Sequence, residues 1–215
     1  MTTATHGSGS ASAAAHKAKG TFSSHFGRPR GVVGRFVGWF MASRNPARGD
    51  WGLELLDVGP EDNVLEIGFG PGVFLEKAAA RTSGHVAGVD HSDVMVAQAK
   101  RRNKATIAEG RMRVVQGDAS SLPFPDAHFD RVLSINSYHH WHDPAAAMNE
   151  IARVLKPGGA VVIVEQAMAK DATDEASRAI GRDVVERMNV AGFSNVETRE
   201  RPMPPRLAVG VIGRR

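Results

Sequence analysis

A carboxylate and three alternate glycines close the apolar run VLEIGFGPG, which occupies residues 64–72. Gly68, Gly70 and Gly72 have the spacing G-x-G-x-G, whereas the dinucleotide fingerprint G-x-G-x-x-G would need a glycine where Val73 stands. A glycine-rich turn between a strand and a helix lets the backbone approach a ligand closely, because no side chain occupies that space. The segment therefore predicts a turn that binds a small molecule, and its spacing argues against NAD.

Two carboxylates near this turn indicate what the ligand carries. Glu66 stands two residues before the first glycine, where it would repel a pyrophosphate and attract an amine. Asp90 ends the second predicted strand, 18 residues after Gly72, and can accept hydrogen bonds from both hydroxyls of a ribose. These residues predict a ligand with a ribose and a cation but no phosphate, a description that S-adenosylmethionine fits.

A second stretch suited to chemistry, SYHHWHDP, follows the fourth predicted strand at residues 137–144. Methyl transfer from a sulfonium needs orientation and, where the acceptor is protonated, a base. His139 or His140 can serve as that base, because imidazole titrates near neutral pH. Tyr138 and Trp141 can stack on an aromatic acceptor or surround the sulfonium. The predicted catalytic residues are therefore His139, His140 and Tyr138, with the choice between the two histidines left open.

No metal or thiol chemistry is expected. His139, His140 and His142 are nearly consecutive, and adjacent side chains rarely converge on one ion. No carboxylate pair accompanies them in the sequence. The chain has no cysteine, which excludes disulfides, thiolate metal sites and cysteine nucleophiles.

Alternating strand and helix patterns position these residues. Buried parallel strands are typically rich in β-branched residues and leucine, as the predicted strands are here. Repeated strand and helix units predict an open doubly wound α/β sheet with ligands at the carboxyl ends of its strands. The predicted strands cover 63–67, 86–90, 113–116, 131–135 and 160–165, and the predicted helices cover 31–43, 48–56, 73–81, 92–103, a segment starting at 143–144 and ending at a Lys-Pro-Gly-Gly turn, and 173–191.

Five segments in order resemble the signature segments of class I S-adenosylmethionine-dependent methyltransferases, nearest the ubiquinone/menaquinone-biosynthesis-like branch known as methyltransferase type 11. They are VLEIGFGPG, VAGVD, QGDASSLPF, FDRVLSINS and LKPGGAVVIVE. The resemblance covers residue 50 to about residue 215 and implies S-adenosyl-L-methionine as the cofactor. The cofactor-binding residues that it implies are Glu66, Gly68 and Gly70 beside the methionine part, Gly72 at the end of the turn, Asp90 at the ribose, His91, Asp118 and Ala119 at the adenine, and Asn136 near the sulfonium.

The resemblance also implies how the sheet ends. Members of the family close the sheet with an antiparallel hairpin, which residues 194–199 and 207–212 can form around the turn PMPP. The expected fold is a mostly parallel, seven-stranded Rossmann-like sheet with that C-terminal hairpin and an N-terminal helical lid. Many relatives build the acceptor pocket from a long insertion after the fifth strand, which this chain lacks. The lid is therefore expected from the N-terminal helix, the loop after Asn136 and residues 166–171.

The N-terminal part differs in composition from the rest. Residues 1–49 carry seven basic and no acidic side chains, whereas the remainder has 20 basic against 23 acidic ones. A slightly acidic body weakens the case for a nucleic-acid-binding core. We expect a disordered basic leader over 1–20, which leaves contact with an anionic surface open, a helical lid segment over 21–58, and the methyltransferase domain over 59–215. The apolar helix at 31–43 can serve as core packing, as a lid or as a membrane-surface anchor.

The expected activity is methyl transfer by in-line displacement to an O, N or C nucleophile of a small-molecule acceptor. The Pro-Pro pair typical of DNA and protein-glutamine methyltransferases is absent after Asn136, which argues for a small acceptor, possibly an aromatic one, over a polymer. The alternatives are an RNA methyltransferase and a non-catalytic S-adenosylmethionine-binding module. No apolar stretch approaches the roughly 20 residues of a membrane span, and the N-terminus lacks the apolar core of a secretory signal, so a cytoplasmic location is expected. The oligomeric state is not predicted.

Overall fold

The structure is a computed structural model that describes residues 46–169 and 171–215. The predicted leader and the predicted helix at 31–43 lie outside the described residues. Among the helices that are described, none has the length and apolar character that crossing a bilayer requires.

Strands and helices alternate through most of the described chain. In chain order the elements are α1 (Pro46–Leu56), β1 (Val64–Ile67), α2 (Val73–Ala79), β2 (Val86–Asp90), α3 (Asp93–Arg102), α4 (Lys104–Ala108), β3 (Met112–Gln116), β4 (Phe129–Ile135), a 3₁₀ turn (Tyr138–His140), α5 (Pro144–Val154), β5 (Leu155–Glu165), α6 (Asp174–Val190), β6 (Ser194–Arg201) and β7 (Ala208–Arg214).

The seven strands form one sheet in the order β3-β2-β1-β4-β5-β7-β6. The pairs among β1 to β5 are parallel, whereas β7 runs antiparallel to both β5 and β6. β1 and β2 are buried along their whole length, as expected for central parallel strands covered on both faces. The predicted doubly wound sheet with an antiparallel C-terminal hairpin is confirmed.

Helices cover both faces of the sheet because alternate residues of each strand point to opposite sides. On one face, Leu65 and Ile67 of β1 pack in a cluster with residues of α5 and α6, such as Met148 and Met188. On the other face, Val64 packs in a cluster with residues of α1, α2 and α3. Met148 and Ile151 of α5 are fully buried in this contact.

The structure corrects the predicted junction between α5 and β5. The Lys-Pro-Gly-Gly segment was expected to form a turn between the two elements, but the strand already begins at Leu155. Leu155 pairs with Phe129, and the register then shifts so that Ala160 pairs with Arg131. The glycine-containing segment is thus an irregularity inside the β4–β5 pair, because burial of Leu155 against Phe129 keeps the chain in the sheet. The short helix α4 was not predicted either.

One arginine of α5 holds the loop between β3 and β4. Arg153 donates to the carbonyl oxygens of Leu122 and Phe124 at 3.0 and 2.9 Å and pairs with Glu150 at 2.7 Å. Glu150 in turn accepts a hydrogen bond from the Leu122 N–H at 2.7 Å. Since this loop begins with Gly117 and Asp118, which line the cleft described below, α5 helps to fix one wall of that cleft.

We predict that Arg153→Met lowers the free energy of unfolding by about 1.5–3 kcal/mol, because it removes charge-assisted hydrogen bonds to the loop. Chemical denaturation measures the change. Arg182→Met is the matched control, since Arg182 makes an exposed ion pair with Glu175 and such pairs contribute little. Equal midpoints for the two variants would show that other contacts hold the loop.

Candidate functional site

A cleft with a volume of about 480 Å³ opens at the carboxyl ends of the parallel strands. In open α/β sheets this edge is the usual ligand site. The turn after β1, the end of β2, the loops after β3 and β4, and α1 all contribute to its walls. The cleft brings together all the predicted site residues except Gly72 and Tyr138. Those it contains are Glu66, Gly68, Gly70, Asp90, His91, Asp118, Ala119, Asn136, His139 and His140.

The glycines of the turn have different reasons for lacking a side chain. Gly70 has φ +54°, and a Cβ placed there would meet nothing within 4 Å, so this backbone faces the open cleft. Gly72 has φ +78°, but a Cβ there would lie 2.7 Å from Cβ of Ala99 in α3. The prediction that Gly72 makes room for a ligand is therefore not supported, because its close neighbour is a helix. A Cβ on Gly68 would lie 2.2 Å from Oγ of Ser137.

Asp90 links the glycine turn to the end of β2. One of its carboxylate oxygens accepts a hydrogen bond from the Gly70 N–H, and the other accepts one from the Ser92 N–H, both at 2.9 Å. Burial raises the pKa of Asp90, and these two hydrogen bonds and His91 only partly oppose the rise. An aspartate oxygen has more than one lone pair, so both oxygens can still accept from a ligand hydroxyl in the cleft.

Glu66 is a second buried carboxyl group in the same wall. Its residue is 3 % exposed, and its Oε2 has no hydrogen-bond partner among the residues described. Burial, together with the nearby charge of Asp90, raises the pKa of Glu66 well above its usual range. A buried polar atom without a partner is rare in proteins, and here it borders a cleft. A donor or cation on a ligand would satisfy it.

His139 is paired with a buried carboxylate. Its Nδ1 lies 2.7 Å from Oε2 of Glu165, which is 1 % exposed at the end of β5. The other carboxylate oxygen accepts a hydrogen bond from the Tyr138 N–H at 2.9 Å. Burial lowers the pKa of His139, but the hydrogen bond and charge of Glu165 outweigh burial and raise it overall. Sequence reasoning missed Glu165, although VVIVE ends in a carboxylate just as VAGVD does.

His140 lies in a different electrostatic environment. Its ring centroid is 4.0 Å from that of His139. Burial lowers the pKa of His140 to about 4, with further contributions from His139 and His91. At neutral pH His140 is therefore uncharged. The structure separates the two candidate bases, since it gives the carboxylate partner to His139.

Tyr138 does not reach the cleft. Its residue is 5 % exposed in the core cluster beside α5 and α6, and its hydroxyl donates to the Asp183 carboxylate of α6. The structure thus does not support the prediction that Tyr138 acts directly in catalysis, because its ring is drawn into the core. Trp141 does line the cleft, and its indole N–H donates to Oγ of Ser137 at 3.1 Å.

The remaining predicted residues lie on the loops after β3 and β4. Asp118 lines the cleft while one of its oxygens accepts from Ser120, which is the main cause of its lowered pKa. Asn136 has φ +52°, and its side-chain oxygen accepts a hydrogen bond from the Gln166 N–H at 2.9 Å. Within the described ranges, no group of three histidine, aspartate or glutamate side chains is arranged to hold a metal ion.

Arg48 of α1 is a cleft residue that sequence reasoning missed. Its residue is only 8 % exposed, and its Nε has no hydrogen-bond partner among the described residues. Burial lowers the pKa of Arg48, and the charge of Glu165 opposes that effect. The available signal was an arginine within the predicted helix 48–56, whose other buried residues are apolar or glycine.

Comparisons with known proteins agree with this geometry. A family model described as a methyltransferase domain matches residues 65–163. The uncharacterized methyltransferase YdaC of Bacillus subtilis (strain 168) is 32% identical over 174 residues, which cover 80% of this chain and 94% of YdaC. The 27-O-demethylrifamycin SV methyltransferase of Amycolatopsis mediterranei (strain S699) is 32% identical over 136 residues, covering 61% of this chain and 50% of that enzyme. A crystal structure of a SAM-dependent methyltransferase from Aquifex aeolicus superposes with a TM-score of 0.65 at 20% identity, covering 81% of this chain and 96% of that one.

The fold, the carboxylate-lined cleft and these matches define the class of protein. The chain belongs to the S-adenosylmethionine-dependent class I methyltransferases, in the family of the matched methyltransferase domain. It is therefore an enzyme whose cofactor is S-adenosylmethionine. The resemblance inferred from the five sequence segments is confirmed.

We predict that alanine at Gly70 mainly weakens ligand binding, whereas alanine at Gly72 mainly lowers the stability of the fold. Gly70→Ala should weaken binding of S-adenosylhomocysteine at least about tenfold while lowering stability by only about 1–2 kcal/mol, the cost of a left-handed alanine. Gly72→Ala should lower stability by a further 1–3 kcal/mol or so, because its methyl group is forced against α3. Calorimetric titration and thermal unfolding measure the two effects. A larger stability loss for Gly70→Ala would contradict this assignment.

Proposed function

We propose that this enzyme transfers the methyl group of S-adenosylmethionine to a small-molecule acceptor, with His139 as the general base. The observation that carries the proposal is the 2.7 Å contact between His139 and the buried carboxylate of Glu165, on the wall of the cleft that also holds Asp90 and the glycine turn. Glu165 is then a positioning residue, since it acts on the acceptor through His139.

The residues present fit the cofactor. We propose that Asp90 accepts hydrogen bonds from the ribose and that the unpartnered oxygen of Glu66 interacts with the cationic methionine part. The open space at Gly70 admits the ligand against the backbone. When bound, the cofactor supplies a methyl group activated by a sulfonium whose leaving group is a neutral thioether. We propose His91, Asp118 and Ala119 as the adenine wall and Asn136 as the wall near the sulfonium.

The His139–Glu165 pair can remove a proton from the acceptor. An ionised carboxylate only accepts hydrogen bonds, so the hydrogen of His139 lies on Nδ1 and the lone pair is left on Nε2. The hydrogen bond from the Tyr138 N–H holds the Glu165 carboxylate in place, which in turn holds the imidazole ring. A fixed tautomer and a partner for the protonated ring are what a general base needs. His140 lacks such a partner in the described structure.

The dimensions of the cleft favour a small acceptor. A volume of about 480 Å³ lies within the usual range of small-molecule pockets. Trp141 on the wall offers an aromatic surface. The name of one relative, 27-O-demethylrifamycin SV methyltransferase, describes a small-molecule acceptor, although this chain spans only half of that enzyme.

We predict that Asp90→Ala weakens binding of S-adenosylhomocysteine by about 10- to 150-fold, since charge-assisted hydrogen bonds contribute roughly 1.5–3 kcal/mol. Isothermal titration measures the affinity, with NAD expected to bind far more weakly than S-adenosylhomocysteine to the wild-type protein. Asp93→Ala is the control, because Asp93 is exposed at the start of α3. Unchanged affinity in Asp90→Ala would exclude Asp90 from the ribose site.

The proposed base is tested by single-turnover methyl transfer to a panel of phenols, amines and small acids. His139→Ala should lower the rate on a protonated acceptor by about 10²- to 10⁴-fold with S-adenosylhomocysteine affinity unchanged, whereas His140→Ala should have a smaller effect. Because the base must be neutral, the rate should rise as pH passes upward through the raised pKa of His139. Glu165→Gln should move this limb to lower pH, since it removes the charge that raises the pKa.

An NMR titration of the His139 ring gives the same pKa without an acceptor, and Glu175→Gln serves as the control, because Glu175 is an exposed carboxylate of α6 that pairs with Arg182. Equal defects in His139→Ala and His140→Ala, or a pH limb that does not move in Glu165→Gln, would overturn the role of His139.

A further inference from the structure

The ionisable side chains at the cleft form two interacting groups, an acidic group and a group that contains Arg48. Glu66 and Asp90 interact electrostatically with each other in the acidic group. In the second group, Arg48 interacts electrostatically with Glu165 and with His139. The acidic group matches a ligand with hydroxyls and a cation. The mechanism proposed above gives Arg48 no ligand group to bind.

The guanidinium group of Arg48 is buried without full compensation. Its residue is 92 % buried, its Nε has no hydrogen-bond partner within the described chain, and none of the ion pairs found there includes Arg48. Burying an unpaired charge is unfavourable because the charge loses its hydration, so such groups are normally paired or bind a ligand. A fork of N–H donors on a cleft wall is the arrangement that recognises a carboxylate.

Glu165 is not the carboxylate that pairs with the guanidinium group of Arg48. One of its oxygens accepts from the Tyr138 N–H and the other contacts Nδ1 of His139, so it acts on Arg48 only through its charge. The net effect of the surroundings on Arg48 is still unfavourable, since burial outweighs Glu165. The guanidinium group of Arg48 can therefore still bind an anion.

We propose that Arg48 binds a carboxylate of a ligand in the cleft. This assignment rests on the proposed function and adds to it the ligand group that Arg48 would bind. Two ligands can bring this group: the amino-acid end of the cofactor, or an acidic acceptor whose carboxylate lies close to the nucleophile that faces His139. The first source makes Arg48 a cofactor-binding residue, and the second makes it the residue that selects acidic acceptors.

The first arm of the test uses S-adenosylhomocysteine and 5′-methylthioadenosine, which lacks the amino-acid carboxylate. If the cofactor is the source, Arg48→Met should weaken S-adenosylhomocysteine binding by about 10- to 100-fold and leave 5′-methylthioadenosine binding unchanged, as measured by isothermal titration. If the acceptor is the source, both affinities should stay the same. If Arg48→Met weakens the binding of both ligands equally, the cleft is distorted and the result contradicts carboxylate recognition.

The second arm uses protein saturated with S-adenosylhomocysteine and titrates it with paired acids and methyl esters, beginning with 4-hydroxybenzoate and methyl 4-hydroxybenzoate. If the acceptor is the source, Arg48→Met should weaken binding of the acids at least about tenfold and leave the esters unchanged. The proposal is overturned if the variant changes neither S-adenosylhomocysteine affinity nor the affinity for any acid of the panel.

Two further variants guard against a folding artefact. Arg48→Lys retains the charge but not the planar fork, so it should bind the carboxylate with intermediate affinity and fold as the wild type does. Arg178→Met removes an arginine that pairs with Glu200 outside the cleft and should leave every affinity unchanged. Failure of His139 as the base would appear as a normal methyl-transfer rate in His139→Ala with the Arg48 titrations unaffected, so the two proposals fail separately.

Discussion

The two hydrogen bonds that the buried Asp90 carboxylate accepts from Gly70 and Ser92 fix the geometry on which the cleft depends. They tie the turn after β1 to the end of β2, so two adjacent parallel strands present their carboxyl ends at one site. Burial alone would favour the neutral acid, and the backbone donors oppose that tendency. The same residue therefore shapes the turn and keeps an acceptor surface toward the cleft.

Carboxylates lie at or near the ends of three of the central strands, beside the cleft. Glu66 near the end of β1 and Asp90 at the end of β2 form the acidic group, whereas Glu165 at the end of β5 is paired with His139. The sheet order places β4 between β1 and β5, so the loop after β4, which carries His139, lies between these carboxylates. The separation of Glu66 and Asp90 from the His139–Glu165 pair therefore follows from strand order, and it is the arrangement on which the proposed roles of cofactor binding and proton removal depend.

The glycine turn shows that one motif can combine several constraints. All three glycines have positive φ, yet an added Cβ would meet a serine side chain at Gly68, open cleft at Gly70 and helix α3 at Gly72. Of the three glycines, Gly70 alone would direct an added Cβ into open space, whereas the missing Cβ of Gly72 lets α3 pack against the turn. Apart from these contacts, all three positions favour glycine because their backbone adopts the left-handed conformation.

The sequence by itself determined the α/β class, nearly all the strands and the cofactor class, and most of the residues it proposed for cofactor binding line the cleft. These depend on local patterns, namely apolar runs of strand length, a glycine turn and carboxylates at strand ends. Only the tertiary structure distinguishes His139 from His140 by pairing His139 with Glu165, because that carboxylate lies 26 residues further along the chain on a neighbouring strand. Only the tertiary structure shows that Tyr138 lies in the core and that Arg48 is buried at the cleft wall. Side-chain direction and burial depend on which elements pack together, and a single sequence does not specify those neighbours residue by residue.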